Sequence, residues 1–125
     1  MKIHHIALKV EDLAICEKFY SEILDIPVQD RLFDESGRHR STWFELEGAI
    51  LMLEKSPTDP RDKILHTQEG PGWHMMAIAI EKNSRDGWIS KLKKNGIAIE
   101  AKSRHSLYFR DPEGNLLALS HHPAE

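Results

Sequence analysis

His4-His5-Ile6-Ala7-Leu8-Lys9-Val10-Glu11 aligns without a gap, 70 residues on, with His74-Met75-Met76-Ala77-Ile78-Ala79-Ile80-Glu81. His4/His74, Ala7/Ala77 and Glu11/Glu81 are identical, and the pairs Ile6/Met76, Leu8/Ile78 and Val10/Ile80 are apolar in both copies. Both stretches alternate with a period of two. That is the pattern of a strand with one buried face, formed by Ile6, Leu8 and Val10 in the first and Met76, Ile78 and Ile80 in the second. An internal repeat of this length governs the architecture of the whole chain.

The downstream elements repeat too. Asp12 is placed to cap a helix whose apolar residues Leu13, Cys16, Phe19, Tyr20, Ile23 and Leu24 recur at helical spacing. In the second copy Asn83 or Ser84 caps, Trp88, Ile89 and Leu92 form the stripe, and Asn95-Gly96 ends it. Second strands are expected over 27–33 and 97–102. Third strands share Ser-x-aromatic-Phe, as Ser41-Thr42-Trp43-Phe44 and Ser106-Leu107-Tyr108-Phe109. Fourth strands leave glycine turns at Gly48 and Gly114. Asp111-Pro112-Glu113-Gly114-Asn115 is a hairpin turn by its chemistry, since Pro presets φ and Gly accepts a positive one. The fold predicted is α+β: two tandem βαβββ modules whose sheets curl into one mixed-sheet cup with the helices outside. Module one covers 1–56, a Pro- and Gly-rich linker 57–72, and module two 73–122. The polar stretch 30–40 is expected to be a mobile loop.

With 125 residues, 40% hydrophobic and 30% charged, the chain has the composition of one folded domain. A net charge of -3 with interspersed signs gives no footprint for nucleic acid. No apolar run approaches the roughly 20 residues needed to span a bilayer, and no signal peptide is visible. The one cysteine, Cys16, fits a reducing compartment, so a cytoplasmic protein is expected. No G-x-S-x-G, Walker, H-E-x-x-H or C-x-x-C sequence is present, and Cys16 lies on the helix stripe, as a core residue would.

The opening from Ile3 to Leu13 with Phe19-Tyr20 and Leu24, the stretch Gly70-Pro71-Gly72-Trp73-His74-Met75-Met76-Ala77, and the segment from Ser106 to Asn115 together resemble vicinal-oxygen-chelate modules. That superfamily includes glyoxalase I, bleomycin-resistance proteins and extradiol dioxygenases. The resemblance covers nearly the whole chain and implies a cup with a divalent metal on its floor, held by His and Glu from the first and fourth strands of each module. It also implies a homodimer. Carried onto this sequence, the first position is His5. Alignment puts the second-module position on Met75, with His74 one residue off and expected to face away, because a one-residue slip reverses a strand side chain; a local bulge returning His74 to the cup is the alternative. The fourth-strand positions fall on Met52 and Ala118, neither of which binds a hard cation as a carboxylate does. Glu54 and His122 share parity with these positions, but at about 3.3 Å per residue they lie roughly 6.6 and 13 Å away.

One remaining ligand does not hold a catalytic ion, which normally needs three. No metal and no other cofactor is therefore expected. The expected cup floor of His5, Met52, Met75 and Ala118, joined by Trp43 and Tyr108, suits a small organic ligand; the alternative is that Met52, Met75 and Trp43 merely fill core. His39, His66 and His105 are read as surface residues, with His105 able to touch a ligand from the rim, and His121-His122 as a solvated end. Three functions stay open. They are a metal-free binding protein of the bleomycin-resistance kind, a metal-dependent lyase, thiol transferase or dioxygenase using His5 and His74, and a metal-free enzyme with His5 as acid or base.

Overall fold

The computed structural model describes residues 1–56 and 71–125, and these fall into two compact units, one on each side of the intervening segment. Most of the expected linker, and His66 with it, lies outside the described residues. Each unit is a βαβββ arrangement built on a four-stranded mixed sheet.

In the first unit the elements are β1 (His5–Val10), α1 (Leu13–Lys18), β2 (Val28–Phe33), β3 (His39–Leu46) and β4 (Ala49–Lys55), with the sheet ordered β1-β4-β3-β2. β1 runs parallel to β4, and the other pairings are antiparallel. Asp12 caps α1 as expected, its carboxylate accepting from the Ile15 N–H at 3.0 Å. The helix then widens into a π-helical turn over Phe19–Ile23, where the Leu24 N–H reaches the Phe19 carbonyl at 3.1 Å. The extra residue keeps Phe19, Tyr20 and Leu24 all buried. α1 packs on β3 and β4. Register explains the core: Leu51 lies between Ile6 and Phe44, and Leu53 between Leu8 and Thr42, on the helix side. There Tyr20 meets Phe44 with ring centroids 5.9 Å apart, and Cys16 is buried.

The hairpin between β2 and β3 corrects the expected mobile loop. β2 continues to Phe33 and β3 starts at His39, so only 34–38 turn. Asp34 accepts from the Ser36 hydroxyl at 2.6 Å and from the Ser36 and Arg38 N–H groups at 2.9 Å each, and Gly37 takes φ +82. The Ser36 hydroxyl above all, then the Arg38 N–H, holds the Asp34 carboxyl below its usual range. His39 is likewise not a loop residue. It is half-buried in β3, its Nε2 2.8 Å from the Thr42 hydroxyl, which itself donates to Glu17 at 3.0 Å. Glu17 also pairs with Arg31 at 2.6 Å, tying helix to sheet.

The second unit repeats the plan: β5 (Met76–Ala79), a 3-10 turn over Lys82–Ser84, α2 (Arg85–Lys94), β6 (Ala101–Lys102), β7 (Ser106–Arg110) and β8 (Leu116–Ser120), ordered β5-β8-β7-β6. β5 runs parallel to β8, as β1 does to β4. Ser84 takes the N-cap position but makes no side-chain cap bond to α2. Its hydroxyl donates instead to the Glu81 carbonyl at 2.7 Å. The strand expected over 97–102 shrinks to two residues, because the Ile97 N–H is spent on the Leu92 carbonyl at 2.9 Å behind Gly96 at φ +73, finishing the helix. The turn beginning at Asp111 forms as its residues require. The buried Asp111 carboxylate accepts from the Glu113 and Asn115 N–H groups at 2.9 and 2.8 Å, with Gly114 at φ +85.

Candidate functional site

In each sheet, one face meets the helix and the alternate residues form the other. In the first unit that other face carries His5 beside Ile50, Met52 between Ala7 and Trp43, and Glu54 between Lys9 and Ser41. Trp43 and Met52 are half-buried, so neither is sealed in the core. The Trp43 indole N–H donates to the Ser41 hydroxyl at 3.1 Å, which fixes the ring against the sheet. His5 is exposed and its Nδ1 stands 3.0 Å from Nδ1 of His4, the rings edge to face. A contact between two ring nitrogens needs a proton on one and a lone pair on the other, so the two imidazoles share one proton. A concavity of about 530 Å³ opens where β1 and β4 begin, with His4, Gln29, Glu45 and Ile50 on its wall. Trp43 and Met52 lie further along the same face.

In the second unit Ala118 lies between Ala77 and Tyr108 on the face away from the helix. A concavity of about 360 Å³ there is walled by His74, Glu100, Tyr108, Arg110 and Leu116. Strand alternation extends only as far as the strand, and β5 starts at Met76, so it does not dictate where His74 or Met75 turns. His74 borders the concavity with Tyr108, and Met75 is 36% exposed. Arg110 and Glu100, which the sequence reading did not single out, form an ion pair at 3.1 Å on the rim, with Arg110 Nη1 also donating to the Gly114 carbonyl at 2.9 Å. Their signal lay in the repeat, since Arg110 follows its aromatic-Phe pair as Glu45 follows Trp43-Phe44.

The family's metal tests poorly against these donors. Met52 and Ala118 occupy the fourth-strand positions of their faces, and around them stand Ala7, Trp43, Ala77 and Tyr108. Among the described residues no group of three or more His, Cys, Asp and Glu side chains converges as a metal site would. The terminal histidines also differ from expectation. His121 is not solvated but buried, 6% exposed, and His105 is half-buried with its Nε2 enclosed. Both belong to a cluster with His122, formed as the chain folds back after β8.

A mixed-sheet βαβββ unit occurring twice, with the candidate residues on the sheet face away from the helix, defines a class, and the sequence profile of the glyoxalase/bleomycin resistance protein/dioxygenase superfamily matches residues 2–119. The chain belongs to that superfamily. It is similar to the metallothiol transferase FosB of Staphylococcus saprophyticus, 27% identical in an alignment 123 positions long that covers 94% of this chain and 74% of that protein. FosB of Staphylococcus epidermidis is 26% identical in an alignment of 125 positions, covering 94% and 79%. Among solved structures, the fosfomycin resistance protein FosX of Listeria monocytogenes, crystallised with Mn(II), superposes with a TM-score of 0.76 at 19% identity, covering 96% of this chain and 91% of its own. A glyoxalase/dioxygenase from Nostoc punctiforme gives 0.74 at 26% identity, covering 98% and 91%. No helix among the described residues is long and apolar enough to cross a membrane.

Proposed function

We propose that this chain is a metal-free binding protein for a small organic molecule, with His5, Trp43 and Met52 of the first unit and Met75, Tyr108 and Ala118 of the second as its ligand-binding residues. The observation behind this is the chemistry of the two fourth-strand positions: a thioether at Met52 and a methyl at Ala118, in surroundings that are apolar and aromatic. Trp43 and Tyr108 offer ring faces, while the His4-His5 pair and Arg110 offer polar anchors. The buried thiol of Cys16 suits a cytoplasmic protein.

A second function is favoured by a specific feature. His74 borders the same concavity as Tyr108, and the curated relatives are named metallothiol transferases, so His5 and His74 are the residues on which a metal-dependent enzyme would rest. Thermal unfolding with added Mn(II), Zn(II) or Ni(II) separates the two. An ion present at 100 times its dissociation constant stabilises by about 2.7 kcal/mol, which moves Tm by several degrees. The binding protein shows no such shift, while compounds with an aromatic ring raise Tm and lose that effect in Trp43→Ala or Tyr108→Ala. A metal-dependent rise that His74→Ala abolishes establishes the enzyme instead. Met75→His combined with Ala118→Glu supplies the two ligand types and is expected to confer metal affinity provided position 75 faces as His5 does.

A further inference from the structure

The cluster behind β8 is outside the candidate site and rests on its own geometry. The His121 N–H donates to the His105 carbonyl at 2.9 Å, which brings the chain back beside β7. His121 Nδ1 stands 2.7 Å from the Ala124 carbonyl, and its Nε2 is 3.2 Å from Nη1 of Arg85, the first residue of α2. A carbonyl only accepts and a guanidinium only donates, so Nδ1 carries the proton and Nε2 is bare. The buried ring is therefore neutral, and both of its nitrogens are engaged. Arg85 donates further to the Ser103 carbonyl at 2.8 Å, joining α2, the turn before β7 and the returning chain at one point. Arg104 pairs with Glu125 at 2.6 Å across the same turn. His105 lies against both neighbours, its ring centroid 5.5 Å from that of His121 and 5.1 Å from that of His122, with an enclosed Nε2 that has no hydrogen-bond partner.

We infer that His105, His121 and Arg85 form a proton-operated latch that holds His121–Glu125 against α2 and the turn before β7 at neutral pH and releases it in weak acid. A proton added to His121 Nε2 sets N–H against N–H of Arg85 and ends the bond. A proton on His105 puts charge on an enclosed ring already beside His122, His121 and Arg104, with Glu125 as the acid facing it. Enclosure first, then His122 and His121, hold the His105 imidazole below its ordinary value of 6.5. The sign follows. The closed form keeps His105 neutral, the open form titrates near 6.5, and the open form therefore binds more protons below that pH. Closure is at full strength above 6.5 and weakens as pH falls from there through the depressed value.

Hydrogen exchange of the intact protein, corrected for the intrinsic pH dependence of amide chemistry, reads the latch directly. Residues 121–125 and the start of α2 are expected to open more often at pH 5.5 than at pH 7.5, by up to about tenfold for the His105 proton alone. Each proton taken up contributes up to tenfold per pH unit. In a His105→Gln, His121→Gln double variant, whose glutamine at 121 still offers an oxygen to Arg85, the response is expected to be flat. A wild type with no pH response, or a double variant that keeps the response, overturns the latch. Should the double variant not fold, imidazole NMR of the wild type decides alone. His121 bearing its proton on Nδ1 at pH 7.5, and losing that signature together with protection of Ala124, supports the latch. A charged His121 in a segment that stays protected refutes it.

Discussion

At the residue scale, Asp111 and the candidate ligand positions illustrate two different relations between type and role. Asp111 is needed for what its oxygens accept: Oδ1 takes two backbone N–H groups and Oδ2 takes the Asn115 side-chain amide at 2.9 Å. Asp111→Ala leaves those donors unpaired beneath a buried turn, which costs about 1–3 kcal/mol. Asp111→Asn, which keeps an acceptor, loses less. Equal losses in thermal melts of the two variants would show that the turn does not depend on these bonds. Met52 is the opposite case: half-buried between Ala7 and Trp43, its thioether supplies apolar contact rather than an acceptor for backbone N–H groups. Met52 and Ala118 fall inside β4 and β8, where strand parity assigns a face, whereas His74 and Met75 precede β5, where parity no longer applies. His121 was misjudged for a related reason: proximity to the chain end says nothing about a partner such as Arg85, 36 residues away.

Elements were read most reliably where two independent signals coincided. The first strands β1 and β5 carried both an alternating pattern and a repeat partner, and Asp12 carried both a cap type and a following stripe. Of the six residues expected for β6, only Ala101 and Lys102 form the strand, after the helix end takes up the Ile97 N–H. The segment 30–40 looks like a loop because its charges are many, yet Arg31 finds Glu17 on α1 and His39 finds Thr42 in its own strand. Polar composition suggests exposure only until a partner is folded beside it. The turns test the element scale cleanly. Gly48 joins β3 to β4 at φ +79, and a methyl added there meets nothing within 4 Å, so the only penalty is conformational. Gly48→Ala is expected to lower stability by about 1 kcal/mol, and Gly48→Asn by roughly half of that, since Asn enters the left-handed region more readily. Urea midpoints of the three proteins measure it, and an alanine variant as stable as the parent would contradict the assigned backbone.

For the whole molecule, the superfamily and the repeated βαβββ plan were both visible in the sequence, because a duplicated pattern constrains every element at once. Assembly was not, since no periodicity encodes a partner. A homodimer is nonetheless expected, and Trp73, 87% exposed, is a residue that a partner subunit would cover. Sedimentation equilibrium at micromolar concentration is expected to give twice the 14.4 kDa chain mass, and a Trp73→Ser variant to shift the balance toward the single chain. A parent that sediments as one chain at that concentration removes the dimer. The topology also sets an order of events during synthesis. Among the described residues, β1 pairs with β4, at the far end of its own unit, and β5 with β8. Each first strand therefore emerges from the ribosome as an unmatched edge and waits for the last strand of its unit. The first sheet has all its strands before any of the second has been translated, so a growing chain meets its greatest aggregation hazard twice, in the intervals before β4 and before β8 arrive.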